Sequence, residues 1–313
     1  MSKFLKTFGL FALLLVFATA CSTEQPGSSS DSDGEKASDD GKTKIGLSIS
    51  TLNNPFFVSL RDGAEAAAEE AGYEIVTADA QNDPAKQVND IEDLLQQNID
   101  VLLVNPADSA AVVSAIESAN GKDVPVITVD RTADGGEVVS HIASDNVAGG
   151  EMAGKFIAEQ LEDNGKVVEL EGIPGASATR ERGKGFHNIV DEKDGIEVVA
   201  KQSANFDRSE GLTVMENILQ STDSVDAVFA HNDEMALGAV QALEAKSMLE
   251  DVMVVGFDAT DDARKAVSEG RMAATIAQQP KLIGEKAIST AGKVVKGEDV
   301  EKSIPVELQL VKE

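Results

Sequence analysis

From Lys44 onward the chain alternates between short apolar runs and longer segments of helical spacing. The runs are Ile45–Ile49, Glu74–Ala78, Val101–Val104, Val126–Val129, Val138–Ile142, Val167–Leu170, Val198–Ala200, Ala227–Ala230, Val252–Val255 and Ala273–Ile276. They are too short for helices, and most are apolar on both faces, as strands buried on both sides must be. Between them lie helical patterns such as Val88, Ile91, Leu94 and Leu95, or Val112, Val113 and Ile116. Gly72 is a C-cap candidate for the first helix, and Asp233 an N-cap candidate for the helix carrying Met235, Leu237 and Val240. The alternation predicts an α/β protein with doubly wound parallel sheets. About ten strands are many for a single such sheet, so two similar lobes are the economical reading.

In an open parallel sheet, ligands bind beyond the carboxyl ends of the strands. The residues at those ends form a pattern. "VLLVNP" ends in Asn105, "PVITVDR" in Asp130 and Arg131, "AVFAHND" in Asn232, "VMVVGFD" in Phe257 and Asp258, and "AATIAQ" in Gln278. "VVELEG" leads into a loop with Arg180 and Arg182, and "NFDR" sets Phe206 just before a helix. The first strand leads to Asn53, Asn54, Phe56 and Phe57. Amides offer a donor and an acceptor in one plane, carboxylates offer acceptors, and guanidinium offers a fork of donors. Adjacent hydroxyls of a sugar match such groups, and phenyl rings can cover the sugar's C–H faces. The Phe56–Phe57 pair has two readings in isolation. It can be a platform for a small polyol, or a hydrophobic staple packed beneath a helix start. The other rim residues favour the platform.

Lys and Arg total 27 against 55 Asp and Glu, a formal charge of −28. That balance repels nucleic acid. The N-terminus carries Lys3 and Lys6, an apolar run from Phe8 to Ala20, and then Cys21, the only cysteine. The run is short for a membrane span and suits a signal peptide over residues 1–20. "ATAC" resembles a bacterial lipobox, with Ala18 in place of the usual leucine, which makes Cys21 the expected lipidation site. Residues 21–42 are rich in Ser, Asp and Gly without apolar period, and read as a flexible acidic tether.

Signals for catalysis are weak. The three histidines, His141, His187 and His231, are scattered, and there is no G-x-S-x-G elbow. "GKT" at residues 41–43 lacks the upstream glycine of a phosphate loop, and no metal-ligand pattern emerges. Asp130 and Asp258 could form a carboxylate pair, but among amides and arginines each reads better as an acceptor for hydroxyls. No cofactor and no enzymatic activity are expected.

The stretches "TLNNPFFVSLRDGA", "VNPADSAAV", "PVITVDR", "VVSHIASDN", "ATRERGKGF", "FAHNDEMALGA", "VMVVGFDAT" and "AATIAQ" resemble the ribose-binding members of the type I periplasmic sugar-binding protein family. The resemblance runs from Lys44 to Val311. It implies two α/β lobes joined by a three-segment hinge and closing around a sugar. The lobes would be residues 43–144 with 279–307, and 145–278 with 308–313. Carried over motif by motif, the ligand contacts would be Asn54, Phe56, Phe57, Asn105, Asp130, Arg131, Arg182, Phe206, Asn232, Phe257, Asp258 and Gln278. Arg180, His231 and Asp233 would be structural neighbours. The implied partners are D-ribose and the permease of an ABC importer, with a chemoreceptor as a further candidate and a monomer as the expected state. Allose, galactose or a furanosyl signalling ligand are the alternative ligands. A sugar-responsive repressor would need an N-terminal helix-turn-helix, where this chain has a signal-like segment instead. The expected location is the outer face of the cell membrane, through the lipid anchor.

Overall fold

The computed structural model describes residues 41–312; the expectations for the signal segment, Cys21 and nearly all of the tether lie outside them. The elements of the first half are β1 (Lys44–Ile49), α1 (Pro55–Ala71), β2 (Glu74–Asp79), α2 (Pro84–Gln96), β3 (Val101–Val104), α3 (Val113–Asn120), β4 (Val126–Val129) and β5 (Ser140–Ser144). Then come α4 (Asn146–Gln160), β6 (Asn164–Glu171), α5 (Ser177–Val190), β7 (Gly195–Ser203), α6 (Arg208–Ser221), β8 (Ala227–Ala230) and α7 (Asp233–Ala245). The chain finishes with β9 (Met253–Asp258), α8 (Asp261–Ser268), β10 (Ala274–Ala277), α9 (Pro280–Val295), β11 (Ser303–Val306) and β12 (Gln309–Lys312).

The strands form two six-stranded sheets, ordered β11-β5-β4-β3-β1-β2 and β12-β10-β9-β8-β6-β7. Apart from the last strand of each, the two orders are the same, and in each the direction of winding reverses beside the first strand. Every pairing is parallel except that of β12 with β10. Both faces of each sheet are covered. In the first lobe α1 and α9 pack on one face over Leu47, Leu103 and Ile127, and α2 and α3 on the other over Leu102 and Val104. In the second, α6, α7 and α8 cover Val168, Val228 and Val254, while α4 and α5 cover Val167, Phe229 and Phe257. This two-sided burial is why β3, β4, β8 and β10 are buried along their whole length.

The expected strands are present, with Val138–Ile142 shifted to Ser140–Ser144. β11 and β12 were not anticipated. They are edge strands of four residues, mostly exposed or half-buried, and Pro305 sits within the first. Together they carry the chain from one sheet to the other, the third passage after β5 to α4 and β10 to α9.

Local chemistry agrees with the elements. α1 starts at Asn54, whose Oδ1 accepts the Phe56 N–H, with Pro55 at the first helical position. It ends at Gly72 in the left-handed region (φ 74°), as expected. α7 departs from expectation. Its N-cap is Asn232, whose Oδ1 accepts from Met235, and Asp233 at the next position turns its side chain inward. Among the described residues no helix is long and apolar enough to cross a membrane.

Leu103 is fully buried at the centre of the first sheet, so Leu103→Ala is expected to lower unfolding free energy by about 2–5 kcal/mol. Val295 is 42% exposed, and Val295→Ala should change it by less than about 0.5 kcal/mol. Urea titrations of both variants check the contrast.

Candidate functional site

The carboxyl ends of both sheets meet across a narrow cavity. Asn54, Phe56, Phe57, Asp130 and Arg131 line it from the first lobe, and Ala178, Arg182, Phe206, Asn232 and Asp258 from the second. Of the twelve residues expected at a ligand site, nine border this space. Asn105, Phe257 and Gln278 do not.

Each of the three has a definite place behind or beside the cavity. Asn105 is fully buried, and its amide is engaged within the fold. Oδ1 accepts from Ser50 N–H, while Nδ2 reaches the Val129 carbonyl and Asp130 Oδ2 at 3.2 Å. Phe257 lies under Arg182, with the guanidinium carbon 3.8 Å from its ring centroid. Gln278 donates to Asp258 Oδ1 at 2.9 Å and borders an adjoining space shared with Phe56 and Thr260.

Two guanidinium groups dominate the electrostatics. Arg131 is held between rings from both lobes, 5.0 Å from the Phe57 centroid and 5.1 Å from that of Phe206. Its Nη1 donates to the Pro106 carbonyl, and Nε is 3.7 Å from Asp130 Oδ2, beyond hydrogen-bond range. Burial pulls its pKa down to about 10, against the charge of Asp130. Arg182 donates through Nε to Asn146 Oδ1 and through Nη1 to the His231 carbonyl, with Asp258 Oδ1 3.8 Å from Nη1. Burial drives the Asp258 carboxyl well above the usual range, and Arg182 opposes the shift.

Phe56 and Phe57 sit edge to face, centroids 5.1 Å apart, in the first turn of α1. Both are core members of the first lobe as well as walls of the cavity. The two readings of this pair are therefore compatible: the rings anchor the helix and present a surface to the gap.

The backbone is turned sharply at the points where side chains enter. Asp130 (φ 61°), Phe206 (φ 60°) and Asp258 (φ 116°) all have positive φ without being glycine. Such residues cost on the order of 1–3 kcal/mol each and persist only where the surroundings enforce them. Here the turns aim Asp130, Phe206 and Asp258 into the space between the sheets.

Among the described residues, buried side-chain atoms lacking any hydrogen-bond partner include Asp130 Oδ1, Arg131 Nε and Gln278 Oε1. An unpaired buried polar atom is costly. Two of these belong to residues lining the cavity and the third to a neighbour of Asp258. The cavity therefore presents acceptor and donor atoms in need of partners, between aromatic faces.

Residues outside the sequence-based set hold the lining in place. Asn146 orients Arg182, and it lies just past the end of β5, where strand-end reasoning could have found it. Glu169, fully buried in the interior of β6, accepts from His231 Nε2 and faces His187 Nε2, each at 2.9 Å. Burial pushes its carboxyl up, but the His231 hydrogen bond and the nearby Lys201 and His187 charges prevail and hold it low. Nothing in the sequence marks a mid-strand glutamate as support, through His231, for an arginine on the next helix.

Asp233, fully buried, accepts from Thr260 N–H at 2.7 Å and from Thr275 Oγ1–H at 2.6 Å, tying the start of α8 to β10 beside Asp258. Burial raises its pKa from 3.8 to about 7. A raised folded-state pKa means that the bound proton stabilises the fold. That contribution is complete below pH 4 and is lost as pH rises through about 7. The stability of the wild-type protein relative to Asp233→Asn should therefore fall by about 2–3 kcal/mol between pH 5 and pH 8. Urea titrations at the two pH values measure it, and an unchanged difference would contradict the assignment.

Comparison with known proteins agrees with this geometry. A family profile described as periplasmic binding protein domain matches residues 45–299. The ribose import binding protein of Bacillus subtilis is 52% identical over 96% of each chain. That of Haemophilus influenzae is 56% identical over 86% of this chain and 91% of its own. Among solved structures, an ABC transporter solute-binding protein from Bacillus halodurans with bound myo-inositol has a TM-score of 0.84 at 37% identity, covering 88% of this chain and 96% of that one. One from Actinobacillus succinogenes with bound D-allose has a TM-score of 0.81 at 31% identity, covering 87% and 98%. Twin sheets meeting at their carboxyl ends, and a profile spanning nearly all of them, place this chain in the periplasmic binding protein family.

Proposed function

We propose that this protein is an extracytoplasmic solute-binding protein that captures D-ribose between its two lobes and delivers it to an ABC importer. The observation that carries the reading is the pair of unpartnered buried atoms on the cavity lining, Asp130 Oδ1 and Arg131 Nε. A sugar hydroxyl can donate to the first and accept from the second. Asn54 and Asn232 add amide edges, and the Phe56, Phe57 and Phe206 rings cover C–H faces. Relatives above 50% identity that are named ribose import binding proteins support ribose over the alternatives.

Binding would proceed by closure. The chain passes between the lobes near Ser144, Gln278 and Glu307, and these passages would act as the hinge. In the open form the arginines and carboxylates are hydrated. Closure exchanges that water for sugar hydroxyls, and the closed shape is the one a permease can recognise. Hydrogen bonding and positioning account for all the lining groups, and none of the three histidines borders the cavity; we therefore read the site as binding without catalysis. The lipobox-like "ATAC" supports a lipid anchor at Cys21 and the acidic segment a spacer from the membrane.

Calorimetric titration with D-ribose, D-allose, D-galactose and D-xylose tests the reading. Ribose should bind at micromolar affinity or tighter, with the others much weaker. Arg182→Ala should cost about 2–4 kcal/mol, some tens- to several-hundredfold in affinity. Affinity within a factor of two of wild type would remove Arg182 from the site. Tight binding of another sugar and none of ribose would keep the transport role and overturn the ligand.

A further inference from the structure

Apart from the hinge passages, the two lobes touch directly through groups that do not border the cavity. Ser109 N–H donates to the Gly175 carbonyl at 3.0 Å. Ser177 N–H donates to Ser109 Oγ at 3.2 Å, and Thr132 N–H to Ser177 Oγ at 2.9 Å. Arg180 Nη2 and Asp134 Oδ1 make a 2.8 Å ion pair across the same seam. Ser109, Asp134 and Thr132 belong to loops of the first lobe, while Gly175, Ser177 and Arg180 lead into and form the start of α5. The approach is close enough that a Cβ on Gly175 would overlap the Asp108 carboxylate, although the glycine backbone itself is not in the left-handed region.

These contacts are bonded to their own lobes as well as to each other. Asp134 N–H donates to the Ser109 carbonyl, Asp108 Oδ1 accepts from Ala110 and Ala111, and Arg180 Nη1 donates to the Gly175 carbonyl. Each side of the seam is thus braced by hydrogen bonds within its own lobe. Ser109 and Ser177 are buried here, and separation of the lobes would return both to water.

We propose that Ser109, Thr132, Asp134, Ser177 and Arg180 form a latch that sets how long the closed protein retains its sugar, without any of them touching it. The proposal rests on the closing mechanism above. A ligand captured by the open lobes and retained by their closure has its affinity scaled by the ease of closure. Weakening the latch then lowers affinity and speeds release, while capture by the open lobes is unaffected. Arg180 and Arg182 lie two residues apart on α5, so closing the latch and delivering Arg182 to the sugar are one movement.

The test uses the full chain with two readouts. Stopped-flow release of D-ribose should be about two- to fivefold faster in Arg180→Ala. It should be about two- to tenfold faster in Ser177→Ala, with association rates within twofold of wild type in both. Exchanging the pair, Asp134→Arg with Arg180→Asp, should restore slow release. Amide hydrogen exchange in the ribose-saturated protein reads the latch directly in the closed form. Ser109, Thr132 and Ser177 amides should exchange faster in both single variants. Unchanged release together with unchanged exchange would overturn the latch, and so would a slowed association with normal release. If the wild-type protein does not take up ribose, the ribose reading falls, and both readouts are taken with whichever of D-allose, D-galactose and D-xylose binds.

Discussion

Arg131 and Arg182 are buried between two sheets, and a buried guanidinium must be matched by acceptors or aromatic faces at every turn. The surrounding structure depends on meeting that requirement. Phe57 and Phe206 flank Arg131, Phe257 lies beneath Arg182, and main-chain carbonyls of Pro106 and His231 each accept a hydrogen bond. The matching is incomplete at Arg131 Nε and Asp130 Oδ1. A protein that leaves charged groups buried and partly unpaired holds an energetic deficit that a polyhydroxyl ligand can cancel. Closure and binding are then one event, because the deficit exists only when the lobes are shut.

The same requirement explains the positive φ values at Asp130, Phe206 and Asp258. Strands running straight on would carry their side chains past the gap. A positive φ at the strand end, as at Asp130 and Asp258, or in the turn that follows the strand, as at Phe206, redirects the side chain at that point. Asp233, Glu169 and Asn146 form the layer behind, fixing Thr275, His231 and Arg182 in turn.

Much of this was legible in the sequence. Apolar runs buried on both faces read directly as parallel strands, and residues at their carboxyl ends read as site residues because the topology leaves them nowhere else to point. Proximity to a strand end could not distinguish lining from support. Asn105 ends its strand as Asp130 does, yet its amide is consumed by Ser50, Val129 and Asp130. Phe257 shares a strand end with Asp258 but points the other way, into the core beneath Arg182, as alternation along a strand requires. β11 and β12 escaped detection because edge strands need not be apolar on both faces. Arg180 read as a loop charge because a partner on the other lobe has no sequence signature.

The central claim is that the atoms left unpaired in the cavity are those that hold the sugar. A crystal structure of the protein grown with D-ribose tests it directly. The account predicts ring hydroxyls within hydrogen-bond distance of Asp130 Oδ1 and Arg131 Nε, with the sugar between the Phe57 and Phe206 rings. Ribose bound elsewhere, or bound in the cavity with both atoms still unpartnered, would contradict it.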